Sequence, residues 1–217
     1  MRTEKTLKAV LAAATALTLV LGMSGSAYAA TSDPLRIQAA RWWQWAVSVP
    51  LDGTHPLEGS ANDCMTGQSD SGPIYLGGVF NSDGSEERTC TIPVGRPIFA
   101  PTVNVECSTV EPDPFHGNTG AELKACSQGW TLVGQHAELD GVALTVHRIT
   151  SPVFPFTVGD TWTGFFGASA GTQARSVSTG GHIWIPGLTP GDHELRIEGT
   201  IQEFDWTITV LYHLHVV

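Results

Sequence analysis

The stretch from Phe204 to Val216 constrains this chain more than any other. Phe204, Trp206, Ile208, Val210, Tyr212, Leu214 and Val216 alternate with Asp205, Thr207, Thr209, His213 and His215, and only Leu211 interrupts the polar series. Side chains of successive strand residues point to opposite faces, so this pattern predicts one long β-strand with a single buried face. Such a strand belongs near the middle of a sheet, and its apolar face needs a second layer to pack on.

The preceding chain carries the same grammar in shorter pieces. Residues 72–80, 87–94 and 96–107 are β-branched or aromatic segments, punctuated by turns at Asn81-Ser82-Asp83-Gly84 and Pro93-Val94-Gly95-Arg96. Segments 130–139 and 142–150 flank Asp140-Gly141, a type I′ hairpin signal. A second hairpin is expected from residues 180–188 and 193–201 about the turn Thr189-Pro190-Gly191-Asp192. Residues 33–48 read as a helix capped by Asp33, with Pro34 in the first turn and Leu35, Ala39, Trp42, Trp43 and Ala46 on one stripe. Thr119 and Glu122 have capping-box spacing, which predicts a short helix to about Ser127. Residues 50–72, 108–118 and the Gly/Ser/Ala/Thr-rich 164–181 read as loops, the last one mobile. The fold class is all-β: an antiparallel β-sandwich or jelly roll with one N-terminal α-helix.

The first thirty residues follow a different logic. Arg2, Lys5 and Lys8 precede a short apolar run from Ala9 to Leu21 and then Ala27-Tyr28-Ala29, the pattern of a secretory signal peptide. We expect residues 1–29 to be that signal peptide and residues 30–217 to form a single secreted β-sandwich domain. Removing the leader leaves 8 basic and 20 acidic side chains, a net charge of −12, with Lys124 the one remaining lysine. Nucleic acids and anionic membranes both require clustered Lys and Arg, so neither is an expected partner. Export also makes the four cysteines, Cys64, Cys90, Cys107 and Cys126, two expected disulfides. Three connectivities are open to them; sequential closure is topologically the simplest. Their spacings lack the close C-x-x-C pairs that zinc favours.

Several segments together resemble a group of exported bacterial proteins designated "signal protein" or hypothetical protein. They are Trp42-Trp43-Gln44-Trp45, residues 72–80, Arg88-Thr89-Cys90-Thr91-Ile92-Pro93 with Gly95, residues 101–107, Asp140-Gly141, Pro190-Gly191-Asp192-His193 and Tyr212-His213-Leu214-His215-Val216. The resemblance implies secretion and one β-rich domain. It implies no activity and transfers no catalytic residue.

Four constellations could carry function. The chain has seven tryptophans; most are expected in the core, but Trp45 lies about 100° off the helix stripe and Trp184 lies opposite Ile183 and Ile185. These two are the expected solvent-facing ligand platforms. His213 and His215 share one strand face, a geometry that can chelate a transition metal, with His182, His193, Glu194 or Asp205 as further donors. Glu106, Glu111 and Asp113 cluster around Cys107 near His116 and could bind calcium or supply paired carboxylates for glycoside hydrolysis. Gly167-Ala168-Ser169-Ala170-Gly171 has nucleophile-elbow spacing, but no strand leads in and no helix pattern follows. The expected function is non-catalytic binding of a glycan or cell-envelope component; a hydrolase, metal-dependent or not, and an inhibitor or matrix protein with a protein partner are the alternatives. No cofactor is expected beyond calcium or a His-bound metal, and the oligomeric state is not readable.

Overall fold

In a computed structural model, residues 32–58, 63–80 and 84–217 are described. The expected signal peptide, the Asn81–Asp83 part of the first turn and the side chain of Asp33 lie outside them. In chain order the elements are α1 (Ser32–Ser48), β1 (Ile74–Tyr75), β2 (Ser85–Ile92), β3 (Ile98–Ser108), α2 (Gly120–Gln128), β4 (Leu132–Leu139), β5 (Val142–Ala143), β6 (His147–Thr150), β7 (Phe154–Thr157), α3 (Thr163–Phe166), β8 (Gln173–Ile185), β9 (Gly191–Ile201) and β10 (Trp206–Val216). Two five-stranded sheets result. One runs β1-β3-β8-β6 with β7 also on β8, and the other runs β2-β10-β9-β4-β5.

The sheets face each other across an aliphatic core. Ile98, Ala100, Val103, Val105, Ile183 and Ile185 from the first meet Leu195, Ile197, Val210, Tyr212 and Leu214 from the second. The β10 alternation is the cause on one side: its odd-numbered polar residues face away and its even-numbered residues close the core. The strand begins at Trp206; Phe204 ends a single 3₁₀ turn and is half exposed.

Both disulfides close sequentially, Cys64–Cys90 and Cys107–Cys126. The helix expected after Thr119 forms, with the Thr119 hydroxyl accepting from the Glu122 amide at 3.2 Å. Asp140 and Gly141 both take positive φ, as a type I′ turn requires, but the hairpin ends after Val142–Ala143, and His147–Thr150 pairs with β8 in the first sheet. Among the described residues no helix is long and apolar enough to cross a membrane.

Three expectations are corrected. The sheets are not wholly antiparallel, because β2 pairs parallel with β10 over eight residues and β1 pairs parallel with β3. Residues 180–188 and 193–201 form no hairpin. β8 lies in the first sheet and β9 in the second, so the intervening turn carries the chain across the core. The apolar phases of Ile183/Ile185 and Leu195/Ile197 suit face-to-face packing as well as edge pairing, and periodicity cannot separate the two. Finally, residues 173–181 are no mobile loop: they open β8, whose small residues Ser176, Ser178, Gly180 and Gly181 sit in the most crowded part of the fold.

The first sheet carries a third layer. The described helices pack on its strands, and α1 covers the face turned away from the second sheet. Trp42, Trp43 and Trp45 from α1 join Tyr75, Phe99, Phe154, Phe156, Trp162 and Phe166 in a second, aromatic core.

Candidate functional site

The site grows from an irregularity in β3. The register against β8 slips between Pro101 and Val103, so Thr102 is an extra residue, a β-bulge. The slip inverts the phase of the strand. Ile98 and Ala100 before it and Val103 and Val105 after it all stay in the inter-sheet core. Asn104 and Glu106 therefore turn the other way, toward the helical layer. On its outer edge β3 has only two-residue β1 beside it, and past the Leu76–Phe99 hydrogen bond it runs on without a partner strand to the Ser108–His116 bridge.

A cavity of about 300 Å³ occupies that edge. Its walls are Trp42 and Trp43 from α1, residues 78–80, residues 101–106 of β3, Phe115, Phe165, and Ile201, Trp206 and Ile208 from the second sheet. Among the described residues no lysine or arginine lines it, and its acids are Glu106 and Glu111. Among the described residues two polar atoms on this wall, Trp43 Nε1 and Asn104 Nδ2, have no hydrogen-bonding partner, and beyond Ser176 the Glu106 carboxyl has only the Glu111 carboxyl. Trp43 and Glu106 are each only 5% exposed. Buried polar atoms are ordinarily paired, so two orphans beside a buried acid pair in one apolar cavity mark a place shaped for something else.

The two glutamates form a buried pair. The Ser176 hydroxyl contacts Glu106 Oε1 and lies 2.8 Å from the Cys107 carbonyl, its single proton serving one of the two. Glu111 accepts from the Ser108 hydroxyl at 2.9 Å, and His116 Nδ1 lies 2.8 Å from the Glu111 carbonyl. The carboxyls are close enough to share a hydrogen bond. Burial, and then the neighbouring Glu111 charge, hold the Glu106 carboxyl well above the usual carboxylate range. Burial lifts Glu111 to about 7, against the opposing pull of its hydrogen bonds. The pair thus holds a shared proton near neutrality.

This arrangement corrects the sequence reading of the acidic cluster. Glu106 is a strand residue, not a loop residue. Asp113 is exposed and stands apart from the other two, so the three do not converge. Glu106 and Glu111 in hydrogen-bond contact are closer than the roughly 5 Å or more that flanking a glycosidic bond requires. Among the described residues no group of three or more His, Cys, Asp and Glu side chains is placed to hold a metal ion.

The tryptophans divide differently from the expectation. Trp45 is 6% exposed. The segment tied down at Cys64 folds over the far side of α1, where Gly67, at positive φ, packs against Val49 and Trp45. Trp45 also meets Tyr75 at 5.8 Å and His55 at 6.1 Å. The helix is thus covered on more than its apolar stripe. Trp184 is 36% exposed and lies opposite the buried Phe99 across the β3–β8 pair.

His213 and His215 lie on the uncovered face of the second sheet. His213 Nε2 is 2.7 Å from Glu87 Oε1, and His215 Nδ1 is 2.6 Å from Asp192 Oδ1. His193 pairs with Asp140 at 2.7 Å and His136 with Glu138 at 2.9 Å. His182 goes elsewhere: it is fully buried, stacks on Phe99 at 5.1 Å, and is pushed down to about 3 by burial. Ser169 sits in an exposed turn with no strand before it.

Sequence reasoning missed Asn104 and Ser176 and treated Trp43 as core filler. One signal was available. In Thr102-Val103-Asn104-Val105-Glu106 three polar residues alternate with two valines inside an otherwise apolar strand.

A comparison with protein-family models finds no match, and neither does a comparison with curated proteins. Among solved structures, the chain is similar to that of PbICP-C in complex with falcipain-2, at 12% identity over 68% of this chain and 100% of that one, with a TM-score of 0.28. A likeness that slight carries no argument.

Proposed function

We propose that the protein is secreted and acts by binding, holding a small and largely apolar ligand in the cavity at the β3 edge. The observation that carries this reading is the pair of unpartnered polar atoms, Trp43 Nε1 and Asn104 Nδ2, beside the buried Glu106 and Glu111 carboxyls on the wall of one apolar cavity. Its volume lies at the low end for ligand pockets, roughly 300–1,000 Å³. A small envelope component fits that size; a polysaccharide chain does not. The leader pattern and two disulfides support export. Docking of a glycan on exposed tryptophans loses support, since Trp45 is enclosed and Trp184 is only 36% exposed.

Titration with substituted benzenes of about ten heavy atoms tests the reading, because apolar cavities of roughly half this volume already bind benzene. Saturable quenching of tryptophan emission and a rise in Tm are expected, worth about 2.7 kcal/mol at a hundredfold excess over Kd. Asn104→Leu should stabilise the ligand-free protein by about 1 kcal/mol, because it removes an unpaired amide, while weakening oxygen- or nitrogen-bearing ligands. Silence of both signals across the panel would sink the proposal.

A further inference from the structure

Building on that binding reading, we infer that the ligand is an organic cation, an amine or quaternary ammonium on an apolar body, seated against Glu106 and Glu111 among the aromatic walls. Six of the lining residues are aromatic: Trp42, Trp43, Phe80, Phe115, Phe165 and Trp206. Aromatic faces attract cations through their quadrupole, most strongly where water is excluded. Two carboxyls among such rings, without a basic side chain among the described residues of the wall, form the negative half of an ion pair whose other half those residues do not supply.

The surroundings of the acid pair leave that charge uncompensated. The Glu106 carboxyl is met by the Ser176 hydroxyl and by Glu111, and Glu111 by the Ser108 hydroxyl. His116 bonds Glu111 at its carbonyl, and its charge gives the Glu111 carboxylate only the weakest of the stabilising pulls on it. β8 carries two titratable groups: Arg175, whose guanidinium donates to the Asn118 carbonyl at 3.2 Å, and His182, kept neutral by burial. α1 contributes only indole rings to the cavity, and the second sheet only Ile201, Trp206 and Ile208. The buried Arg88 is tied to the Gly77 and Gly78 carbonyls and to Tyr212, and does not line the cavity. An entering cation would displace the proton that the pair otherwise shares, so cation binding and proton release are linked. The Trp43 N–H then serves an acceptor elsewhere on the ligand.

Benzyltrimethylammonium and its uncharged isostere neopentylbenzene separate charge from shape. At about pH 8 the cation should bind roughly tenfold more tightly than the isostere, and at about pH 5, with both carboxyls protonated, the ratio should fall toward one. The double variant Glu106→Gln with Glu111→Gln should hold the ratio near one at both pH values. An isostere that binds as well as the cation at pH 8 overturns the inference and leaves the apolar binding site standing. Failure of both probes at both pH values removes the binding reading as well. Should the double variant not fold, the pH dependence of the ratio in the unaltered protein decides alone.

Discussion

The two outer faces of this sandwich use the same side-chain chemistry under opposite conditions. The face of the first sheet is covered by α1, and its carboxylates Glu106 and Glu111 are 5% and 7% exposed with no base opposite them among the described residues. The face of the second sheet is bare. Its carboxylates Glu87, Asp192 and Glu138 each meet a histidine in solvent. Water decides the outcome. Exposed pairs are weakly coupled and screened, whereas burial forces the interior pair to keep a proton or find a cation. A cover one helix deep turns ordinary acids into a potential recognition element.

Removing the cover is the most severe way to break the contrast. Trp42 is buried, donates from Nε1 to the Leu76 carbonyl at 2.6 Å, and packs on Trp43 at 5.3 Å. Trp42→Ala should cost about 3–5 kcal/mol in a urea titration, the usual range for a buried aromatic. Thr209→Ala, on the bare face, should stay within about 0.5 kcal/mol. If the two losses are similar, α1 is not the element that sets the faces apart.

The pH dependence of stability sharpens the contrast next. Folding raises the Glu111 carboxyl from 4.5 to about 7, so the folded state binds that proton more tightly. Its contribution is complete below about pH 4.5 and is lost as pH rises toward 7, on the order of 3 kcal/mol. Glu106, also raised by burial, contributes in the same sense. His182 acts in the opposite sense. It is pushed down from 6.5 to about 3, so its contribution is present above 6.5 and is lost as pH falls toward 3. His55, also lowered by burial, adds to that acid limb. Urea midpoints should therefore trace a dome, and Glu106→Gln with Glu111→Gln should flatten its alkaline side only. An unchanged alkaline side would show that the pair is solvated in the folded protein.

The bare face was legible in the sequence and the covered one was not. Strict alternation from Trp206 to Val216 reports one wet and one dry side, and His213 and His215 lie on the wet side. The capping box at Thr119 and the turn at Asp140-Gly141 are local devices, and both form from a few adjacent residues. The cavity is different because it needs long-range facts. A bulge at Thr102 re-aims Asn104 and Glu106, and Ser176 reaches Glu106 from seventy positions away. Trp45 misled for the same reason. Helical geometry gives its angle on α1, but only the tertiary path of the segment around Gly67 says that this side of the helix is also covered.

The mildest expected effect lies on the bare face itself. His213 and His215 have side chains 41% and 54% exposed, and their partners Glu87 and Asp192 are 69% and 89% exposed. Water competes for every donor and acceptor there, and holding two mobile side chains together costs entropy. His213→Ala and His215→Ala should each change stability by no more than about 0.5 kcal/mol at low ionic strength. That small difference should vanish in about 1 M salt, where the screening length shrinks to about 3 Å. The alkaline limb attributed to Glu106 and Glu111 should survive the same salt, because ions cannot enter between them. A surface substitution whose cost persisted in salt would mean that the second face is buried in solution.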